Sequence, residues 1–241
     1  MIGRLIHGLR AIVYPKTCLS CRKKLAEKAD DGFLCSQCRG KIKKNLPPFC
    51  VSCGRQLDKR WLAKNICPAC QKNNLSFDRA YSPCTYEGVI KELIHKFKYN
   101  DREHLGEPLS RLMSEFIREY SLPIDYIDCI IPIPLHKTRL REREFNQSEV
   151  LSKYLAQEFN KELVSNAIER FRHTRTQTEL VTHQRASNVK NSFRVTDPQA
   201  IKNKNILLID DVLTTGATSS EAAAALKSAG ANIVFVLTIA N

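Results

Sequence analysis

The alternation of apolar and polar positions is clearest at the end of the chain. Ile206-Leu207-Leu208-Ile209 is a short continuous apolar run, the pattern of a parallel strand buried on both faces. The Ala-rich stretch Ser219 to Ser228, closed by Gly230, predicts a helix. Ile233 to Ile239 is a second apolar strand, completing a βαβ unit. Cys129 to Ile133 reads as a further strand, and Arg170 to Asn188 is polar, basic and aperiodic, as a surface loop would be. At the other end, Ile2, Leu5, Ile6, Leu9 and Val13 fall at helical spacing, interrupted by Arg4, His7 and Arg10. No small-residue cleavage site follows, so this segment is expected to be a short amphipathic helix packed on the protein rather than a signal peptide. No apolar run is long enough to span a membrane.

The residues between the last two strands carry chemistry. Asp210-Asp211-Val212-Leu213-Thr214-Thr215-Gly216-Ala217-Thr218 links a strand end to a helix start. Such a turn points backbone N–H groups outward and leads into a helix N-terminus, and both favour a phosphate dianion. Gly216 allows close backbone approach, and Thr214, Thr215 and Thr218 add hydroxyl donors. Asp210 and Asp211 can accept hydrogen bonds from vicinal ribose hydroxyls. The segment Ile206 to Thr218 is therefore suited to a ribose 5-phosphate group.

Cysteine spacing adds a second module. Eight of ten cysteines form C-x2-C pairs: Cys18/Cys21, Cys35/Cys38, Cys50/Cys53 and Cys67/Cys70. The pattern repeats with an offset of 32 residues, an internal duplication. Two such turns make a closed four-sulfur zinc site with no open position, which is structural rather than catalytic. Two zinc ions are expected. Sequential pairing, one zinc per repeat, is the simplest; spacing alone also allows crossed pairing. The absence of a surrounding βαβ pattern argues against redox chemistry, and the spacing argues against a secreted disulfide scaffold. Cys84 and Cys129 lack spaced partners and are expected to be buried small residues.

Charge is concentrated in the same third. Residues 1–72 hold 16 Lys/Arg against 4 Asp/Glu, whereas residues 73–241 hold 22 against 21. Eight thiolates and two Zn2+ leave the loaded module at roughly +8. Arg22, Lys23 and Lys24 form one basic cluster; Arg39, Lys41, Lys43 and Lys44 form another. A polyanionic partner is expected for this third, with Phe49 and Trp61 as candidates to stack on bases. The chain divides into residues 1–72, the N-terminal helix and metal module, and residues 73–241, the larger domain.

The Asp210 to Thr218 segment resembles the phosphoribosyl pyrophosphate (PRPP) motif of type I phosphoribosyltransferases. The resemblance extends over the chain to the ComF family, also called the GntX or competence protein ComFC family. The matching features, in order, are the cysteine-rich start, Tyr86-Glu87-Gly88, Leu93-Ile94, Lys98-Tyr99, Ile131-Pro132-Ile133-Pro134-Leu135-His136, Arg143 with Phe145-Asn146-Gln147, Thr176-Gln177, Leu180, Arg185 and Asn188. It implies an α/β fold, a type I phosphoribosyltransferase-like parallel sheet flanked by helices, preceded by a small double zinc-ribbon module with four cysteines to each zinc. It also implies that Asp210 and Asp211 bind the ribose hydroxyls and that Thr214, Thr215, Gly216, Ala217 and Thr218 cradle the 5-phosphate. Leu135, His136, Lys137 and Arg139 would form the pyrophosphate loop, whose charges suit it. Arg172, Arg175 and Arg185 would belong to a mobile lid. Mg2+ would accompany PRPP. The family usually has glycine where Glu144 stands, so the turn there is expected to differ if it needs positive φ.

The resemblance leaves two functions open. One is a PRPP-binding protein of DNA uptake in natural transformation, on the cytoplasmic side, contacting single-stranded DNA and competence proteins such as a DNA helicase or processing protein. The other is a metabolic phosphoribosyltransferase acting on a nucleobase-like compound. Enzymes of this fold acting on 6-oxopurines carry Asp where Thr214 stands, which argues against such an acceptor. The zinc module is expected to take the place of a base-recognising hood, close to Asp211.

Overall fold

The computed structural model describes residues 17–25, 33–99, 102–172 and 191–241. The expected N-terminal helix lies outside them. In chain order the helices are α1 (Ser36–Arg39), α2 (Pro68–Lys72), α3 (Gly88–Lys98), α4 (Gly106–Glu119), α5 (Lys137–Arg143), α6 (Gln147–Glu158) and α7 (Ala217–Ser228). The strands are β1 (Arg79–Tyr81), β2 (Cys129–Pro132), β3 (Glu162–Leu163), β4 (Ile168–Arg170), β5 (Phe193–Val195), β6 (Asn205–Val212) and β7 (Ile233–Ala240).

Five strands form one parallel sheet in the order β1-β7-β6-β2-β3, and β4 pairs antiparallel with β5 beside it. The period-2 pleat explains why the strands are apolar throughout. Leu207 and Ile209 pack into a core with α3, α4 and α6, whereas Ile206 and Leu208 pack into a second core with Ala222, Ala223 and Leu226 of α7. α3 buries Val89, Ile90, Leu93, Ile94 and Phe97, a helical stripe set against the first core. α4 lies close against α6, since a Cβ on Gly106 would meet Val150 Cγ1 at 2.2 Å.

The cysteines form two groups in sequential pairing, Cys18/Cys21/Cys35/Cys38 and Cys50/Cys53/Cys67/Cys70, with the sulfurs of each group within 4.8 Å of one another. Cys21 and Cys35 Sγ lie 3.6 Å apart, and Cys53 and Cys67 Sγ 3.7 Å apart. A tetrahedron of Zn–S bonds of about 2.3 Å has edges of about 3.8 Å. Both groups therefore suit a closed four-sulfur zinc site. The duplication is visible in the backbone: α1 starts after Cys35 and α2 after Cys67, with each cysteine as N-cap. Cys84 and Cys129 are fully buried, as expected, and burial pushes their thiols up to about 12 and about 11.

Each ribbon joins one core. Cys18, Leu25, Phe33, Leu34 and Cys38 pack with the first; Cys50, Cys53, Leu57, Cys67 and Cys70 pack with the second. The joint is dense. Gly54, at φ 68°, lies so close to β1 that a Cβ would sit 2.3 Å from the Ala80 carbonyl oxygen. Buried Asn45 donates through Nδ2 to the Ser82 and Cys84 carbonyls and to Asn241 Oδ1, at 3.0, 3.0 and 2.9 Å. Cys84 bridges to Ala240, which is in register with Val212. The ribbons thus sit at the carboxyl edge of the sheet, the edge that carries Asp210 and Asp211.

Candidate functional site

β6 carries its apolar run through to Asp210 and Asp211 before the chain turns. Asp211 is buried, and Lys98 Nζ, at the end of α3, lies 2.8 Å from its Oδ2. Burial pushes the Lys98 ammonium down, but the Asp211 charge and hydrogen bond outweigh it, so its pKa stands above the ordinary value. Asp210 Oδ1 accepts from the Asp211 backbone N–H at 2.8 Å and from the Ser148 hydroxyl at 3.3 Å. Desolvation and then the Asp211 charge push the Asp210 carboxyl up to about 7, although the backbone donor, Lys98 and Ser148 favour its ionised form.

The neighbouring strand supplies the second loop. Ile133 N–H donates to the Ile209 carbonyl at 2.9 Å, which places the turn after β2 beside Asp210. Leu135 and His136 in that turn are half-buried, Lys137 is exposed, and Arg139 is half-buried with Glu142 at 3.5 Å. The segment from Lys137 onward is not an extended loop but the seven-residue helix α5, and His136 caps it by accepting the Thr138 N–H at Nδ1, 3.3 Å. The Phe145-Asn146-Gln147 motif couples this turn to the acidic pair. Asn146 Nδ2 donates to the Ile133 carbonyl at 3.1 Å, while its Oδ1 accepts from Ser148 N–H at 3.2 Å as the N-cap of α6. Ser148 in turn reaches Asp210.

Lys98 is joined near the acidic pair by Arg170, which feels the Asp210 charge, and Arg139 and Arg143 lie close enough to Arg170 to oppose its charge. Burial lowers the Arg170 pKa; the Asp210 charge opposes the fall, and Arg139 and Arg143 add to it. Arg143 donates to Gln147 Oε1 at 2.9 Å and lies 5.8 Å from the centre of the Tyr99 ring. Lys98, Arg143 and Arg170 were not among the residues given a site role from sequence. Lys98 and Arg143 stood inside matched motifs, but nothing in their spacing tied them to Asp210 and Asp211. Arg172 is exposed; Arg175 and Arg185 lie outside the described residues.

On the far side of the pair, Thr214 is exposed, Thr215 and Thr218 are half-buried, and Gly216 is buried at φ 77°, ψ 0° as the N-cap of α7, which opens with Ala217. Positive φ there is what glycine supplies. Ala217 N–H donates to Thr215 Oγ1 at 3.4 Å. Leu75 and Phe77 back the turn, at 3.3 and 3.6 Å from where a Gly216 Cβ would be. Ser76 N–H holds this backing segment to α7 through Ser220 Oγ at 2.9 Å.

Two expectations are corrected. Phe49 is no base-stacking residue: it packs edge-on against Phe116 and Tyr120, with ring centres 5.7 and 5.1 Å away, because the ribbon docks on α4. Trp61 is half-buried, with Lys64 Nζ 5.9 Å from its ring centre. The turn at Glu144 keeps positive φ (67°) without glycine, as the C-cap of α5. An L-residue is strained there by about 1 kcal/mol. Glu144→Gly should therefore raise stability by about that amount in urea denaturation; a loss would show that the Glu144 side chain contributes more than the backbone strain costs.

The comparisons with known proteins agree with this architecture. A double zinc ribbon domain model matches residues 9–84, and a phosphoribosyl transferase domain model matches residues 146–241. Competence protein F of Haemophilus influenzae is 30% identical over 226 residues, covering 92% of this chain and 96% of the relative. The DNA utilization protein YhgH of Salmonella typhi is 31% identical, covering 93% and 96%. Competence protein ComFC of Bacillus subtilis is 30% identical, covering 83% and 80%. With two ribbons and a phosphoribosyltransferase-like sheet in one chain, and relatives matched over 80 to 96% of their length, this protein belongs to the ComF family.

Proposed function

We propose that the protein binds PRPP with Mg2+ at the carboxyl edge of its sheet and acts in DNA uptake, holding single-stranded DNA on its ribbons and transferring a phosphoribosyl group to an acceptor. The observation that carries this reading is the acidic pair Asp210/Asp211, followed directly by the Thr214–Thr218 turn and neighboured by the cations Lys98 and Arg170, with the turn that carries Leu135 to Arg139 beside Asp210. That order matches a ligand with a phosphate at one end, a diol in the middle and pyrophosphate at the other. Thr214 to Thr218 take the 5-phosphate through backbone N–H and hydroxyl donors. Asp210 and Asp211 accept from the ribose hydroxyls. Lys137 and Arg139, with the turn at Leu135 and His136, take the pyrophosphate, and Arg172, Arg175 and Arg185 belong to the covering segment. Mg2+ would be held by oxygen donors, the Asp210 and Asp211 carboxylates and those of the ligand, and would supply neutralising charge at the pyrophosphate. No protein nucleophile is required: the residues position the sugar and stabilise charge as the glycosidic carbon becomes electron-poor.

The DNA-uptake role rests on the printed names of the relatives and on the basic ribbons. Arg22, Lys23, Lys24, Arg39, Lys41, Lys43 and Lys44 are all exposed. Binding of single-stranded DNA by the full-length protein should weaken with salt, and Lys23→Ala/Lys24→Ala should flatten the log–log slope by about 0.7 for each phosphate that is no longer neutralised. An unchanged slope would remove that cluster from the interface. Pyrophosphate release from PRPP, assayed with single-stranded DNA and with a panel of bases, tests the reaction. Release only with DNA or its components supports this reading; release only with a free base favours a metabolic phosphoribosyltransferase; none with any acceptor leaves PRPP as a ligand alone.

A further inference from the structure

Two adjacent carboxylates at a buried strand end need a counter-charge before any ligand arrives. Asp211 has one in Lys98 Nζ at 2.8 Å, with only 20% of the Lys98 side chain and 12% of the Asp211 side chain exposed. The base of that lysine is fixed. Its neighbour Phe97 is fully buried against Phe145, ring centres 5.6 Å apart, so the end of α3 is anchored beside the Asn146 turn. A first-ribbon contact holds the same helix: Lys96 donates to the Leu19 carbonyl, and within the helix it pairs with Glu92 at 2.8 Å. What can still move is the four-carbon stem of Lys98. Arg170 also feels the Asp210 charge, Arg143 lies close enough to oppose the charge of Lys98 and of Arg170, and the Ser148 hydroxyl donates to Asp210.

The geometry points to Lys98 as a positioning residue that exchanges with the ligand: its ammonium occupies, at Asp211, the place taken by the diol and divalent cation of a bound sugar pyrophosphate. This rests on the reading of Asp210 and Asp211 as the ribose-binding pair. Asp211 Oδ2 cannot keep a short ion pair and also receive the ligand's cation or hydroxyls at the same lone pairs. Binding therefore displaces Lys98, and the displaced ammonium turns to the anionic end of the same ligand. The acidic pair stays ordered without ligand, and a bare divalent cation is kept out until its phosphates come with it.

The test uses full-length, zinc-loaded protein and Mn2+ alone as the probe, read by electron paramagnetic resonance. Lys98→Met should bind Mn2+ about tenfold more tightly than wild type, because the competitor for Asp211 is gone. Lys98→Arg should return the affinity to the wild-type level, and Lys98→Met/Asp211→Asn should lose the gain. Lys98→Gln serves equally if the methionine variant does not fold, as judged by circular dichroism. Mn2+ affinity no tighter in either neutral variant, with PRPP binding intact, would overturn the role of Lys98 while leaving the site. Absence of PRPP binding by the wild type would instead remove the ribose-binding reading, whatever the Mn2+ result.

Discussion

Asp210→Asn should make the ligand-free protein more stable at pH 8, by about 2–4 kcal/mol, while abolishing its binding of PRPP. The gain follows from the environment of the carboxyl. Burial and the adjacent Asp211 charge hold it at about 7, against 3.8 for an unperturbed aspartate. Below about pH 4 the native and unfolded chains both carry the proton, so its stabilising effect is fully present. Between about 4 and 7 only the native state keeps it, and that contribution is lost as pH rises through the folded value. Asparagine does not ionise, and its oxygen can still accept from Asp211 N–H and Ser148. The stability advantage of the variant should therefore shrink as pH falls and vanish near pH 4, measured by urea denaturation across pH. Equal stability at pH 8 would show that Lys98 and the arginines already neutralise Asp210. A site that is destabilising when empty and required when full is the expected cost of pre-organised function.

Cys53→Ser should cost several kcal/mol, on the order of 3–5, and should weaken PRPP binding, whereas Cys21→Ser should release zinc with a much smaller loss. The two ribbons differ in burial. Cys50, Cys53, Cys67 and Cys70 are all at most 8% exposed, while Cys21 is exposed and Cys35 half-buried. The buried ribbon shares its core with Phe77, Ala80 and Leu213, and Phe77 with Leu75 backs Gly216. The Cys53 carbonyl also accepts from Asn241 Nδ2 at 3.2 Å, and Gly54 lies against Ala80. Loss of zinc from the second group should thus loosen the wall behind the Thr214–Thr218 turn. Zinc content, thermal melting and PRPP affinity measured on the two variants check this. Unimpaired PRPP affinity in zinc-depleted Cys53→Ser would separate the ribbon from the site.

The reasons for what was readable beforehand are local. The run Ile206 to Ile209 and the Asp210–Thr218 turn are continuous in sequence, so strand, acidic pair and helix start were visible together. The zinc groups were visible because ligand pairs recur at fixed spacing; their sequential pairing needed the fold. Lys98 was not visible as a site residue, since 113 positions separate it from Asp211 and only the packing of α3 on the sheet joins them. Phe49 misled for the same reason: an aromatic in a basic module suits a base until the module is seen docked on α4. Glu144 misled differently, because the backbone kept the glycine conformation and bore the strain. Asn45 carried no motif at all, yet it ties the ribbons to the edge that holds the acidic pair.

Calorimetric titration of the full-length, zinc-loaded protein with PRPP in the presence of Mg2+ tests the central claim most directly, with wild type set against Asp210→Asn/Asp211→Asn. Saturable one-to-one binding by the wild type, lost in the folded double variant, is the predicted result. Absence of binding by the wild type, or equal binding by both proteins, would contradict the assignment of the acidic pair.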